Sequence, residues 1–391
     1  MLERSALEST LRGALRRFRV VAIVGPRQCG KTTLARRIAR RGLADYFDLE
    51  DPVDQARLTT PHLTLSEIEG LIVMDEIQRQ PELLELLRVL ADRPRAKARF
   101  LVLGSASPDL VKGGAESLAG RVRIVEMGGF DLSEVGAERR AALWLRGGFP
   151  RSFLARSDAA SLEWRNNFVK TFLERDLPQL GIAAPAATLR RFWAMVAHFH
   201  GQVWNAAEFA RSLGGSEATA RRYLEILTGA FVVRQLPPWF ENIAKRQVKS
   251  PKVYLRDSGL LHALLNLRTR RHLHEHPKLG ASWEGFVIEQ VIALLKSPAA
   301  YFWATHGGAE LDLLVMHDGR RTGFEVKYVD APTLTKSMKI ALEELGLDRL
   351  HVVYPGARSY RMAAKVEALA ITELAAALGG RGEAGSRPRR Q

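Results

Sequence analysis

A glycine-rich segment near the amino terminus carries the residues with the clearest chemical role. Residues 25–33 read Gly-Pro-Arg-Gln-Cys-Gly-Lys-Thr-Thr and match the phosphate-binding pattern G-x-x-x-x-G-K-[ST]. Lys31 is predicted to reach the β- and γ-phosphates of a nucleoside triphosphate, and the Thr32 hydroxyl to bind Mg²⁺. We therefore predict ATP and Mg²⁺ as cofactors, with an ordinary glycine turn as the alternative. The predicted nucleotide contacts are Gly25, Pro26, Arg27, Gln28, Cys29, Gly30, Lys31, Thr32 and Thr33.

Two adjacent carboxylates follow the apolar run Leu71-Ile-Val-Met, which is the Walker B pattern. Asp75 is predicted to hold the Mg²⁺ shell, and Glu76 to orient and polarise the attacking water. A strand that ends in two solvated acids is the structural alternative. The phosphate-binding segment earlier in the chain favours the catalytic interpretation.

Short apolar strands must position these residues. Residues 20–24 form a β-branched run directly before the glycine loop, and a helical pattern follows the loop. Further strands are predicted at 44–52, 71–76, 99–107 and 121–127. A strand, a glycine loop and a helix in this order point backbone N–H groups and the positive helix end at one spot, where a triphosphate can bind.

Two other polar residues lie near predicted strand ends. Ser105 follows the fourth strand and is predicted to sense the γ-phosphate. Arg121 opens the fifth strand and is predicted to act as an arginine finger on the nucleotide of a neighbouring subunit, which requires a homo-oligomer. Plain surface charge is the alternative for Arg121.

Composition limits the class of protein. The 391 residues are 46% hydrophobic, enough for large cores, and they contain neither an apolar run that could span a bilayer nor the pattern of a signal peptide. We expect a cytoplasmic protein without membrane contact. A single cysteine excludes an internal disulfide, and we expect Cys29 to fill space. The net charge of +15 and the pI near 10.2 favour a polyanionic partner such as DNA.

Several segments together resemble a prokaryotic family of AAA+ ATPases with a C-terminal domain of uncharacterised function. They are GPRQCGKTT, LIVMDEIQR, LVLGSAS, ESLAGRV and LRGGFP, and later LERDLP, PPWFENIAKRQVKSPKVYLRDSGLL and WEGFVIEQ. The resemblance covers nearly the whole chain. It implies an α/β fold class: a P-loop AAA+ parallel sheet domain, a helical connector with a winged helix, and a C-terminal restriction-endonuclease-like α/β domain.

The middle of the chain has the helix and strand order of a winged helix. A helix opened by Ser216 is expected to bury Ala220, Tyr223, Leu224 and Leu227, leaving arginines for solvent or DNA. A basic run follows, for which a solvated face is the alternative. A lid or interaction module is equally compatible with this segment. The predicted nucleic-acid contacts are Arg221, Arg222, Lys245, Arg246, Lys249 and Lys252.

Carboxylates converge in the predicted C-terminal domain. Asp318-Gly319 lies between two alternating runs and predicts a hairpin turn, in which Asp312 lies opposite Glu325. A helix brings Glu284 on an apolar stripe, with Glu289 on the solvent side. Facing carboxylates repel, so the pair needs a proton, a cation or a metal.

These acids resemble the PD-(D/E)xK nuclease site. The resemblance implies Mg²⁺ ligands at Glu284, Asp312 and Glu325, and a catalytic lysine at Lys327. A degenerate nuclease fold that only binds DNA or docks a partner is the alternative.

The predicted domains are the ATPase (1–135), a helical connector (136–185), a winged-helix region (186–275), a nuclease-like domain (276–378) and a disordered basic tail (379–391). The first hypothesis is an ATP-hydrolysing enzyme that acts on DNA. The second is a nucleotide-controlled switch that recruits a protein partner, and the third is DNA binding for localisation only.

Overall fold

The computed structural model describes residues 2–40, 42–93, 97–106, 121–180, 182, 184–240, 248–297 and 299–379. It divides into two compact units. The first comprises Met1–Gly129, Thr171–Ala184 and Leu224–Val232, and the second comprises Phe130–Lys170, Pro185–Tyr223 and Val233–Gln391. The predicted contacts Lys245 and Arg246, residues 116–120 and all but the first residue of the predicted basic tail lie outside the described residues.

The regular elements follow the chain in this order. The strands are β1 Val20–Val24, β2 Ala44–Asp48, β3 Gly70–Asp75, β4 Ala98–Gly104, β5 Val122–Glu126, β6 Gln202–Val203, β7 Val233–Leu236, β8 Lys252–Leu255, β9 Ala300–Ala304, β10 Glu310–His317, β11 Arg320–Val326, β12 Arg349–Tyr354, β13 Tyr360–Ala363 and β14 Val366–Ala370. The helices are α1 Ser5–Arg17, α2 Lys31–Ala39, α3 Pro52–Arg57, α4 Pro61–Glu67, α5 Leu83–Asp92, α6 Leu132–Val135, α7 Arg140–Arg146, α8 Pro150–Phe153, α9 Asp158–Thr171, α10 Leu177–Gln179, α11 Ala186–His198, α12 Ala206–Leu213, α13 Glu217–Gly229, α14 Ser258–Leu264, α15 Arg270–His274, α16 Leu279–Leu295, α17 Lys336–Glu344 and α18 Leu374–Gly379. A π-helical segment, Phe172–Asp176, joins α9 to α10, and 3₁₀ turns occupy Ile77–Arg79 and Ala137–Arg139. No helix in the described ranges is both long and apolar enough to cross a membrane.

A five-stranded parallel sheet forms the core of the first unit. Its order is β2-β3-β4-β1-β5, and each neighbouring pair runs parallel. β1 is buried along nearly its whole length, as its unbroken apolar run predicts. Since parallel strands end at one edge, the loop after β1, the end of β3 and the residue after β4 lie at the same edge of the sheet. The predicted parallel sheet is confirmed.

The glycine loop needs its first glycine because the backbone of the next segment passes close by. A Cβ atom at Gly25 would lie 2.0 Å from the Met127 carbonyl oxygen. Cys29 is buried in the same place, and its thiol donates to that oxygen at 3.4 Å. The cysteine therefore packs the loop against the segment after β5, as expected from the sequence.

Two sheets form the second unit. A small antiparallel sheet has the order β6-β8-β7, and a mixed sheet has the order β13-β14-β12-β11-β10-β9. The predicted β10–β11 hairpin is confirmed. Both turn residues, Asp318 and Gly319, have positive φ angles of 50° and 72°, and Leu313 pairs with Phe324. This register puts Asp312 opposite Glu325, as predicted.

Helix α13 also follows its sequence pattern. The Ser216 hydroxyl accepts a hydrogen bond from the Thr219 amide at 3.2 Å, which caps the helix as predicted. The four side chains expected to be buried are buried, namely Ala220, Tyr223, Leu224 and Leu227.

The expectation of a solvated Glu289 was wrong. Its carboxylate lies between the guanidinium groups of Arg234 and Arg256, and its side chain is 13% exposed. Helix α16 has buried apolar residues on most of its circumference. An amphipathic pattern therefore does not apply, and ion pairs compensate the charge that faces the protein.

A buried hydrogen-bond chain fixes a neutral histidine in the second unit. Trp144 donates to the Ser282 hydroxyl at 3.0 Å, and that hydroxyl lies 2.7 Å from His262 Nε2. His262 Nδ1 lies 3.0 Å from the Leu145 carbonyl, which can only accept, so Nδ1 carries the proton and Nε2 accepts. Burial, assisted by repulsion from Arg165 and His276, lowers the pKa of His262 to about 4.

This histidine predicts an acid-sensitive second unit. An unfolded histidine has a pKa of about 6.5, so below that pH the unfolded chain takes up a proton that the folded chain does not. Stability is therefore complete above about pH 6.5 and falls as the pH decreases, by roughly 2 kcal/mol at pH 5 from this residue. His200, whose pKa burial lowers to about 3, adds to the effect in the same direction.

We expect His262→Gln to reduce the slope of unfolding free energy against pH between pH 7 and 5, measured by calorimetry. The exposed His272→Gln serves as the matched control and should leave the slope unchanged. Equal slopes in wild type and His262→Gln would contradict a neutral buried His262.

Candidate functional site

The glycine loop holds its lysine in a curled backbone. Gly30 has φ 103° and directly precedes α2, so the loop ends at the helix amino terminus. The Lys31 ammonium is buried and donates to the carbonyl oxygens of Gly25 and Pro26, both at 2.9 Å. The two carbonyl oxygens satisfy the buried cation, and these bonds must be exchanged for bonds to phosphate oxygens when a nucleotide binds.

The two predicted Mg²⁺ ligands of the first unit lie together. Asp75, at the end of β3, accepts a hydrogen bond from the Thr32 hydroxyl at 2.7 Å. A second donor, the Tyr46 hydroxyl on the neighbouring strand β2, lies 2.5 Å from the same carboxylate oxygen. Burial and the Asp75 charge raise the pKa of Tyr46, so the tyrosine donates its proton to Asp75. The donor set of a hydroxyl and a carboxylate fits Mg²⁺.

Glu76 is held by two side chains. Its backbone has φ 57°, a strained conformation for a residue other than glycine. One carboxylate oxygen lies 3.4 Å from the Ser105 hydroxyl, and the other accepts a hydrogen bond from the Gln78 amide. Gln78 also accepts from the Ser105 backbone amide at 3.3 Å. The structure thus brings the predicted Glu76 and Ser105 together.

Arg27 of the glycine loop is surrounded by acids. It donates to Asp176 at 2.5 Å and Glu50 at 2.8 Å, and lies 3.9 Å from Glu76. Burial lowers the pKa of Arg27, but Glu76, Asp176 and Glu50 more than offset this and leave the pKa above its usual value. Asp176 is 1% exposed and belongs to the π-helical segment. The loop is therefore tied to that segment by a buried charge pair.

Arg121 lies away from this site. It precedes β5, at the edge of the parallel sheet opposite the glycine loop, and its Nε lies 2.9 Å from both carboxylate oxygens of Asp92. Its action on a neighbouring subunit stays a prediction.

A second constellation lies in the second unit. We define the acid cluster as Glu284, Glu310, Asp312 and Glu325. Asp312 accepts from the Val326 amide at 2.8 Å, and Glu284 accepts from the Tyr254 hydroxyl at 2.5 Å. Lys327 binds one oxygen of Glu325 at 2.7 Å. The other oxygen of Glu325 is buried and has no hydrogen-bond partner among the described residues.

Lys252 also belongs to this cluster. Its Nζ contacts Glu310 and lies 3.5 Å from Glu284, and its side chain is 6% exposed. The prediction that Lys252 contacts nucleic acid was therefore wrong. β8 is the central strand of its sheet and is buried on both faces, so the lysine points inward. Arg221, Arg222 and Lys249 are exposed, and their contact with DNA stays a prediction.

Burial and, after it, repulsion between the acids govern the charges of the cluster. Burial, followed by repulsion from Asp312, raises the pKa of both Glu284 and Glu325. Burial lowers the pKa of Lys252, but attraction to Glu284, Asp312 and Glu310 outweighs it and raises that pKa overall. Within the described ranges, no three or more His, Cys, Asp or Glu side chains are arranged to hold a metal ion. Ammonium groups pair with these acids instead, so the predicted site at Glu284, Asp312 and Glu325 stays a prediction.

Several site residues escaped sequence reasoning. Tyr46 lies in no motif, and Gln78, Tyr254 and Asp176 lie in segments of the family resemblance that assign them no role. The partners of Tyr46, Tyr254 and Asp176 lie on elements that only the tertiary fold brings near. Gln78 had one local indication, since it lies two residues after the Walker B glutamate.

Three known families match successive stretches of the chain. Residues 17–136 match the family described as "AAA domain". Residues 137–271 match "Domain of unknown function (DUF8612)", and residues 279–374 match "Domain of unknown function (DUF4143)". The first family contains the whole glycine loop and the Walker B carboxylates.

Two mycobacterial proteins are close relatives. They are "Uncharacterized protein Rv2008c" of Mycobacterium tuberculosis and "Uncharacterized protein Mb2031c" of Mycobacterium bovis. Each is 53% identical over 374 residues, which cover 96% of this chain and 85% of the relative.

Two solved structures are similar at lower levels. The Walker-type ATPase PABY2304 of Pyrococcus abyssi is 16% identical, with a TM-score of 0.45, over 68% of this chain and 96% of that one. The RuvB Holliday junction branch migration motor of Thermotoga maritima is 19% identical, with a TM-score of 0.30, over 60% of this chain and 90% of that one.

The Tyr46–Asp75 hydrogen bond predicts a change in Mg²⁺ dependence. Tyr46→Phe keeps the aromatic ring, above which the Arg36 guanidinium lies at 5.2 Å, and removes only the hydroxyl. Hydrogen bonds to charged groups contribute about 1.5–3 kcal/mol, so the Mg²⁺ concentration for half-maximal ATP hydrolysis should rise about tenfold. The control is Tyr360→Phe in the second unit. An unchanged Mg²⁺ dependence would show that Tyr46 does not position Asp75.

Proposed function

Since this chain belongs to the family of the two mycobacterial proteins and joins an AAA domain to two domains of unknown function, we propose that it binds and hydrolyses ATP and acts on DNA. The observation that carries the proposal is the meeting of Lys31, Thr32, Asp75, Glu76 and Ser105 at one edge of a parallel sheet.

Each of these residues has a role in hydrolysis. Lys31 exchanges its carbonyl partners for phosphate oxygens. Thr32 and Asp75 hold Mg²⁺, which neutralises charge on the phosphates when bound. Glu76 orients the attacking water, and Gln78 and Ser105 position the Glu76 carboxylate.

Hydrolysis should depend on Glu76 separately from binding. Glu76→Gln keeps the hydrogen-bonding shape and removes the base, so turnover should fall by about 10²–10⁴ with nucleotide affinity retained. Lys31→Ala should instead lose at least tenfold in ATP affinity. The assays are steady-state phosphate release and equilibrium binding of a fluorescent ATP analogue.

The matched control is Glu69→Gln, an exposed acid paired with Lys97. Unchanged turnover in Glu76→Gln would remove Glu76 from the mechanism. Normal ATP binding by Lys31→Ala would contradict the assignment of the glycine loop.

Exposed basic groups support action on DNA. The elements α11, β6, α12, α13, β7 and β8 follow the order expected for a winged helix, and α13 presents Arg221 and Arg222 to solvent. The net charge of +15 adds attraction to a polyanion. Arg221 pairs with Glu217 at 3.3 Å, an exposed contact that phosphate can replace at little cost.

The acid cluster supports a further step, metal-dependent cleavage of DNA. Glu325 offers a buried oxygen without a hydrogen-bond partner among the described residues, Asp312 lies opposite it on the hairpin, and Lys327 lies beside it. In this proposal Glu284, Asp312 and Glu325 bind Mg²⁺, which activates a nucleophile when bound, and Lys327 stabilises developing charge.

A nucleotide-controlled switch is the second candidate. The Arg27–Asp176 ion pair connects the glycine loop to the π-helical segment of the same unit. A change in the position of Arg27 when phosphate binds would therefore change the position of that segment. The bound nucleotide would then control one of two interactions. One is a homo-oligomer in which Arg121 contacts the nucleotide of a neighbouring subunit, and the other is the binding of a protein partner.

Double-stranded DNA separates the two candidates. We expect DNA to stimulate ATP hydrolysis, and the joint variant Arg221→Ala, Arg222→Ala to weaken DNA binding and lower its salt dependence by about two counterions. Arg358→Ala, at an exposed site in the connection between β12 and β13, is the control. A slow rate of ATP hydrolysis that does not change when DNA is added would favour the nucleotide-controlled switch.

The same reactions, with Mn²⁺ or Mg²⁺ and a supercoiled plasmid, test the acid cluster. Cleavage lost in Asp312→Ala and in Lys327→Ala supports a nuclease. Intact plasmid and junction substrates under all conditions would remove cleavage and leave the ATPase proposal standing.

A further inference from the structure

Two lysines that differ in exposure neutralise part of the acid cluster. Four carboxylates and two ammonium groups, Lys252 and Lys327, leave an excess of two negative charges when all are ionised. Lys327 is 38% exposed and lies two residues from its partner Glu325. Lys252 is 6% exposed and comes from β8, outside the stretch 279–374 that contains the four acids.

Lys252 occupies the position where a cation would be expected. Its Nζ lies between Glu310 and Glu284, and 5.6 Å from the centre of the Phe302 ring. A buried ammonium group is costly unless it is paired, and these contacts provide the pairing. They also use carboxylate oxygens that a metal ion would need, which accounts for the lack of a preformed metal geometry among the described residues.

We propose that Lys252 is an internal counter-ion that competes with a divalent cation for the acid cluster, so that the cation enters only as the Lys252 ammonium leaves Glu284. The inference rests on the proposed function in one respect, namely that the acid cluster takes a divalent cation.

The geometry provides a route for this exchange. Glu310 is 45% exposed, so the lysine can follow its partner towards solvent without losing the ion pair. The remaining acids keep their positions, because Tyr254 holds Glu284 and the Val326 amide holds Asp312. One oxygen of Glu325 is buried without a hydrogen-bond partner among the described residues, so it is available to a cation.

Chemical labelling of the lysines tests the exchange directly in the full chain. All samples carry Asp75→Asn, so that the nucleotide site contributes no cation ligand from that carboxylate. Acetic anhydride is applied with and without saturating Mn²⁺, and acetylated peptides are quantified by mass spectrometry. We expect acetylation of Lys252 to rise at least fivefold with Mn²⁺, and that of the exposed Lys339 to stay constant. Bound Mn²⁺ without a change at Lys252, or no Mn²⁺ binding at all, overturns the proposal.

Affinity provides the second measurement. The Lys252→Met variant should bind Mn²⁺ at least tenfold more tightly than the protein that retains Lys252, as measured by calorimetry, because the competing ammonium group has been removed. Lys252→Arg keeps the charge and should retain the weak affinity. Lys339→Met changes the net charge equally at an exposed site and should have no effect. Equal or weaker binding by Lys252→Met would mean that Lys252 supports the site and does not compete for it.

Parallel cleavage assays separate this inference from the nuclease proposal. If Mn²⁺ increases acetylation of Lys252 but DNA is not cleaved, Lys252 is a counter-ion and the cluster is not a nuclease site. If DNA is cleaved but acetylation of Lys252 does not change, the cluster is a nuclease site and Lys252 is not a competing counter-ion.

Discussion

Parallel hydrogen bonding of β1 to β4, and of β4 to β3, is the constraint on which the nucleotide site depends. Parallel strands end at the same edge of a sheet, so the glycine loop, the Walker B acids and Ser105 meet although they lie 29 to 80 positions apart in the chain. The same pairing puts Arg121, which precedes β5, at the opposite edge. The order of the strands therefore decides which side chains meet at the nucleotide site.

Buried charge is treated alike in both units. Arg27 is matched by Asp176 and Glu50, and Lys252 by Glu284 and Glu310. Removing ions from water costs several kcal/mol each, so these groups persist only because partners compensate them. A phosphate or a metal ion that binds at either site must therefore displace a charged group that is already paired there.

Local patterns sufficed for much of the fold and for part of the sites. The glycine loop, the five strands of the first sheet, the Ser216 cap and the Asp318-Gly319 turn are encoded by neighbouring residues, and the structure agrees with each. The errors at Lys252 and Glu289 share one cause. Charged residues suggested exposure, but both lie on elements enclosed by other elements, and enclosure is a tertiary property that no local pattern reports. Tyr46 was missed because adjacency of β2 to β3 gives it its role.

Lys252 links the two stretches that match domains of unknown function. The lysine and Tyr254 lie in the stretch that matches DUF8612, and the acids they contact lie in the stretch that matches DUF4143. The border between the two family matches thus divides one cluster of paired acids and lysines. A chain that paired these acids with an unrelated strand would keep Lys327 but lose Lys252, so Glu284 and Glu310 would lose their ammonium partner. The two stretches therefore depend on each other at this site, although they match separate families.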